Sequence, residues 1–192
     1  YSSIAHAGYA LIGVVVAGHM EADPGVRSLG LSSVMLYLAV YAFMTLGAFA
    51  VVAMLRKGSV EGDEIEDFTG LAKRQPVAAL LMLVFMVSLA GIPPTAGFIG
   101  KFYLFLAAVK AGLTWLAVVA VLFAAVSAYF YLRVVMVMYM RDLQPSAEPH
   151  PRFAASPAMA IVLACAVAGV VLLGLFPDVL VSVTTQAVLP LK

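Results

Sequence analysis

The chain has 192 residues, of which 64% are apolar and only 11% charged, and its formal net charge is +1. That composition excludes an ordinary soluble domain, and the near-neutral charge gives no reason to expect nucleic-acid binding. The one cysteine, Cys165, lies in an apolar run and can form no intrachain disulfide. No Cys/His spacing suggests a metal or iron–sulfur site, and no glycine-rich phosphate loop is present, so neither a metal nor a cofactor is expected on this chain.

A membrane-spanning helix needs about 20 mostly apolar residues, and five such crossings are read in order: about 1–18, 29–55, 77–109, 113–140 and 157–176 or longer. They are expected to form a single membrane domain over 1–192. The sequence opens on Tyr1 and runs straight into apolar residues without a signal-peptide pattern. The expectation is the C-terminal part of a longer membrane protein.

The first crossing carries Ser2, Ser3, His6 and Tyr9. Ser2–His6 and His6–Tyr9 are spaced to share one helix face. His6 titrates in a range useful for passing protons; a hydrogen-bonded packing histidine fits equally well. A polar turn at 19–25 follows. The second crossing carries Ser33, Tyr37, Tyr41 and Thr45, each four residues apart. This stripe either lines a hydrated path or supplies interhelical hydrogen bonds.

Next come Arg56, Lys57 and Gly58, then an acidic run at 61–67, read as a solvated loop with docking to a neighbouring subunit as the alternative. Lys73 and Arg74 precede Pro76. The third crossing is the unusual one. Its middle, 91–101, reads GIPPTAGFIGK. Gly91 and Pro93 should break the helix, because proline lacks the N–H and clashes with the preceding turn. Pro94 suits the first position of a new half-helix, and Gly97 leaves room for close approach or water. The backbone carbonyls so freed must face protein or water in a membrane.

Lys101 falls in the second half, with apolar sequence on both sides. A central lysine costs roughly 3 kcal/mol on insertion scales. Snorkelling near a helix end is one reading. A broken helix with an ionisable residue at mid-membrane is also how ion-coupled membrane proteins build a site, and the flanking apolar residues favour this second reading. Burial brings the charged and neutral forms of a lysine closer in free energy, which suits it to proton transfer. The chain offers no intramembrane carboxylate partner.

The fourth crossing carries Ser127, Tyr129, Tyr131 and Arg133, with Ser127–Tyr131 and Tyr129–Arg133 at helical i,i+4 spacing. Arg133 is read as snorkelling to the cytoplasmic side. A proline-rich polar loop at 141–156 leads to the fifth crossing, and 178–192 either continues that helix or lies at the interface. Arg56, Lys57, Lys73, Arg74, Arg141 and Arg152 fall on one face; Arg27, Lys110 and Lys192 fall on the other. Lysine and arginine excess marks the cytoplasmic side. The first helix is therefore expected to start in the cytoplasm of an inner-membrane protein, and the C-terminus to lie outside.

Five stretches carry a resemblance: YSSIAHAGY at 1–9, YLAVYAFMTLGAFA at 37–50, IEDFTGL at 65–71, AGIPPTAGFIGKF at 90–102 and YFYLRV at 129–134. Together they resemble the antiporter-like membrane subunits of respiratory complex I, the NADH-quinone oxidoreductase. Gly100, Lys101 and Phe102 resemble the subunit N branch, counterpart of mitochondrial subunit 2; sister branches tend to have Ser-Lys-Asp or a glutamate there.

The resemblance implies an all-α, polytopic transmembrane bundle of about five crossings with one broken helix. It would be the C-terminal portion of a fourteen-helix fold built from inverted repeats. It also implies a proton-translocating subunit that couples NADH oxidation by quinone to proton pumping. Lys101 falls on the family's proton-channel lysine of the second repeat. His6 and the polar residues Ser33, Tyr37, Tyr41, Thr45, Ser127 and Tyr131 are candidates to link it to its surroundings. Flavin, iron–sulfur clusters and quinone are implied on partner subunits of the membrane complex. Two other classes stay open: a multisubunit cation/proton antiporter or related hydrogenase membrane arm, and a structural scaffold with a vestigial channel.

Overall fold

A computed structural model describes residues 2–56, 64–141 and 156–188. Tyr1, Lys57, Gly58, the acidic residues Glu61 and Asp63, the loop 142–155 with Arg152, and 189–192 with Lys192 lie outside the described residues. Among the described residues the fold is all-helical: α1 (Ser2–Gly18), α2 (Pro24–Arg56), α3 (Leu71–Arg74), α4 (Pro76–Ala90), α5 (Ala96–Lys110), α6 (Thr114–Met140), α7 (Pro157–Leu175) and α8 (Asp178–Val188). A 3₁₀ turn, Ile65–Phe68, precedes α3.

Among the described residues, three helices are long and apolar enough to cross a membrane: α2, α6 and α7. α4 and α5 have 15 residues each. At 1.5 Å per residue, neither alone reaches across a hydrocarbon core of about 30 Å. They follow one another across the break, with only Gly91–Thr95 between them.

α2 runs through the middle and packs against α1, α4, α5, α7 and α8. Its most deeply buried side chains are Ser33, Tyr37, Val40, Met44, Val51 and Leu55, spaced three, four or seven apart as residues on one helical face are. Met35, Leu38, Phe43, Leu46 and Phe49 form an exposed apolar surface on the same helix. In a membrane such a surface meets lipid or other helices, so burial gains little and association rests on close packing and polar contacts.

Two apolar cores result. One joins α2, α4, α6 and α7 around Met44, Phe85, Met138 and Val170. The other joins α1, the first half of α2, α5 and α6 around Tyr9, Val16, Tyr37 and Leu104.

Several boundaries differ from the sequence reading. α2 starts at Pro24 rather than near Leu29. Pro24 and Gly25 form its first turn, and the Asp23 carbonyl accepts from Val26 and Arg27 N–H; proline at a helix start loses no bond. Arg27 Nε donates to the Ala17 carbonyl at 3.2 Å and so covers the end of α1. Pro94 does not open α5. Both prolines stay in the connection, and Thr95 is the N-cap. After α7 the helix stops at Phe176, and α8 is a separate helix packed against α2.

The described part of the acidic run forms a 3₁₀ turn, and its Glu64 and Glu66 are exposed, as a solvated segment leaves them. Glu64 and Asp67 form a reciprocal capping box on the 3₁₀ turn. Glu66 Oε1 lies 3.8 Å from both Arg133 of α6 and Arg141 just after it, so Arg133 has a carboxylate to reach as well as water. Gly70 N–H donates to the Val137 carbonyl at 3.3 Å. Arg74 donates to the carbonyls of Asp67 and Thr69 at 2.9 and 2.8 Å. Burial pulls the Arg74 guanidinium below its usual range and Asp67 pushes it back up; an arginine stays charged regardless.

Candidate functional site

α4 is apolar throughout except for Ser88 and ends in a left-handed residue, Gly91, at φ 85°. A helix leaves its last four carbonyls without partners in the helix, and in a membrane each must find one. All four do. Val87 O accepts from Gly91 and Ile92 N–H, and Ser88 O accepts from Gly91 N–H. Leu89 O and Ala90 O both accept from Lys101 Nζ, at 2.9 and 3.1 Å.

Lys101 is therefore not snorkelling. It is 4% exposed and points back across the break. Gly91 forms the floor of its seat: a Cβ there would stand 3.1 Å from Nζ, on a backbone conformation that L side chains rarely adopt. The ammonium also sits at the negative end of the α4 dipole, where a cation is favoured. On its other side the Tyr9 ring lies 5.2 Å away, within cation–π range. No Asp or Glu occurs in α1, α2, α4, α5, α6 or α7, and carbonyls and an aromatic face take the place of a carboxylate.

The start of α5 is closed by its neighbour. Thr95 makes no side-chain cap, because its hydroxyl donates to the Ile92 carbonyl at 2.7 Å. Phe98 and Ile99 N–H reach the Thr95 carbonyl. Gly97 N–H donates to Ser88 Oγ of α4 at 3.1 Å, and Ser88 Oγ donates to Met44 Sδ of α2 at 3.0 Å. A Cβ on Gly97 would overlap the Ser88 carbonyl, so this approach needs glycine.

A second polar cluster is built around His6. Its Nδ1 is 2.5 Å from Tyr37 Oη of α2 and its Nε2 is 2.9 Å from Tyr131 Oη of α6. Neutral imidazole has one N–H and one lone pair. One tyrosine therefore accepts and the other donates, and the direction reverses with the tautomer. Ser2 Oγ lies 2.5 Å from the same Tyr131 hydroxyl. Tyr41 stacks on His6 with ring centroids 4.5 Å apart, and Tyr9 meets its edge at 6.0 Å. Tyr9 thus stands between Lys101 and His6, and the Ser127 side chain of α6 lies near its hydroxyl.

Of the polar residues marked from sequence, His6, Tyr37, Tyr41 and Tyr131 come together. Ser33 and Thr45 do not join them, while Ser127 stands beside Tyr9. Ser33 donates to the Leu29 and Tyr103 carbonyls, stitching α2 to α5. Thr45 and Ser127 donate to carbonyls of their own helices. Ser127 also lines a groove of about 260 Å³ with Tyr9, between α1 and α6. Sequence reasoning left Ser88 out, although it is the one polar side chain in α4 and stands three residues before Gly91. Among the described residues no group of His, Cys, Asp and Glu is placed to hold a metal ion.

This geometry defines a class: a membrane helix bundle in which an interrupted helix seats a buried lysine beside an aromatic and histidine cluster. Residues 1–128 match the family model described as NADH:quinone oxidoreductase/Mrp antiporter, TM, and the chain belongs to that family. It is 51% identical over 177 residues to NADH-quinone oxidoreductase subunit N 2 of Rhizobium meliloti (strain 1021), covering 92% of this chain and 34% of that protein. The chain thus spans about a third of the length of the curated relatives it matches.

Among solved structures it is similar to a chain of respiratory complex I from Thermus thermophilus with bound aureothin, at TM-score 0.73 and 32% identity. That match covers 95% of this chain and 38% of that one. The fold is also shared with the Mrp complex from Dietzia sp. DQ12-45-1b, at TM-score 0.70 and 22% identity, covering 98% of this chain and 47% of that one.

Proposed function

We propose that this chain is part of a proton-translocating membrane subunit of NADH-quinone oxidoreductase, and that Lys101 is a proton-transfer site within it. The observation that supports the reading is the seat of Lys101. A buried ammonium held by two backbone carbonyls, with no carboxylate against it among the described residues, can give up and regain a proton. Water reaching the Tyr9 edge would connect it to His6, and the Tyr37–His6–Tyr131–Ser2 chain then offers a hydrogen-bonded exit. The helices form one membrane domain of five crossings, the α4–α5 pair being the broken one. By the lysine and arginine excess, α1 starts in the cytoplasm and the C-terminus lies outside.

Partner subunits of the complex would carry flavin, iron–sulfur clusters and quinone and supply the driving energy. Moving one charge against 100 mV requires about 2.3 kcal/mol, equivalent to a change of one to two pKa units. Modest electrostatic changes near Lys101 are therefore enough to drive it.

A second reading is supported by the family description and the Mrp likeness: a subunit of a multisubunit cation/proton antiporter. Purification of the full assembly separates the two. Co-purified flavin and iron–sulfur subunits with NADH-driven pumping favour the first, and Na⁺-dependent proton exchange without them overturns it. A Lys101→Ala complex that assembles and pumps normally would leave a structural scaffold.

A further inference from the structure

We propose that Ser88 is a positioning residue for Lys101, holding the two half-helices in the one register where the lysine meets its carbonyls. The proposal rests on the reading of Lys101 as the transfer site. Each half-helix supplies the other's missing cap. Lys101 of α5 closes the end of α4 through Leu89 O and Ala90 O, and Ser88 of α4 closes the start of α5 through Gly97 N–H.

The two ties act on adjacent turns. Gly97 and Lys101 are four residues apart and share a helix face, while Ser88 immediately precedes Leu89 and Ala90. Fixing Gly97 against Ser88 therefore fixes how far Lys101 reaches along α4. Ser88 is itself fully buried, and so is its acceptor, Met44, so the tie extends to the central helix α2. The Ser88 hydroxyl bonds to Met44 and Gly97 and the Lys101 ammonium to Leu89 and Ala90, so the serine acts through the backbone of the break.

The test uses the full complex in sealed vesicles and two pairs of variants. Ser88→Thr keeps the hydroxyl, and Ser88→Val has the same shape without it. Ser88→Ala and Ser88→Cys repeat the comparison without a branch at Cβ. Lys101→Ala runs in parallel. Expected is normal assembly, with protons pumped per NADH or turnover lowered about five- to tenfold in the Val and Ala variants and restored by Thr or partly by Cys. Equal pumping in Thr and Val, or wild-type pumping in Ala, overturns the proposal. Failure of all four to assemble also overturns it, because Ser88 would then serve folding alone. Wild-type pumping in Lys101→Ala defeats the Lys101 reading instead, whatever Ser88 does.

Discussion

Lys101 Nζ crosses the helix break to the Leu89 carbonyl at 2.9 Å, so the residue with the ionisable group is also the cap of the helix before it. Removing the side chain should therefore do two things at once. Lys101→Met would leave the Leu89 and Ala90 carbonyls buried and unpaired, at a cost of about 1–3 kcal/mol each. Lys101→Gln, whose amide can reach part of the way, should be less destabilising. Thermal unfolding of the detergent-solubilised complex compares them; equal stability of the two would show that the carbonyls find other donors.

The Gly97 contact is testable by contrast with a glycine in open space. Gly97→Ala would put a Cβ into the Ser88 carbonyl and force α4 and α5 apart, whereas a Cβ on Gly8 meets nothing within 4 Å. Gly97→Ala should reduce the amount of assembled complex severely, and Gly8→Ala should not. Native gels of membranes expressing each variant read this directly.

His6 and Tyr131 should behave as one unit. Their 2.9 Å bond lies between buried groups 125 residues apart in sequence, and groups in one hydrogen-bond network commonly couple by 0.5–3 kcal/mol. His6→Phe and Tyr131→Phe should each slow pumping, and the double variant should be little worse than either alone. Fully additive losses would separate His6 from Tyr131 and remove the proposed exit.

At the α2–α4 connection, two arginines of like charge should differ in weight. Arg133 meets Glu66 at 3.8 Å with both side chains about half exposed, which is worth roughly 0–1 kcal/mol. Arg74 donates to two carbonyls from a partly buried position and should be worth about 1–3 kcal/mol. Protease nicking of the connection in Arg74→Ala and Arg133→Ala membranes checks the order; greater sensitivity of Arg133→Ala would reverse it.

The membrane class was legible from sequence because apolar run length is set by bilayer thickness, and the break was legible because glycine and proline are the residues that stop helices. Lys101 was legible by its cost in that setting. The partners of these residues were not. Nothing local relates Ser2 to Tyr131, 129 residues away, and the polar stripe on α2 looked continuous because helical spacing does not say which hydroxyls turn to their own backbone. Pro94 was placed inside α5 on a sound preference of proline for helix starts. Thr95 took the N-cap position instead, while Ser88 took over capping Gly97. The ion pairs of half-exposed Glu66 were not legible because Arg133 and Arg141 lie far along the chain.

The most direct test of the central claim is proton pumping by the intact complex carrying Lys101→Ala. Membranes are sealed into vesicles, assembly is checked, and protons moved are measured against NADH oxidised. Loss of pumping, with or without loss of turnover, is the expected result and makes Lys101 a transfer site. Wild-type turnover with wild-type pumping would contradict it and leave Lys101 as the cap of a helix.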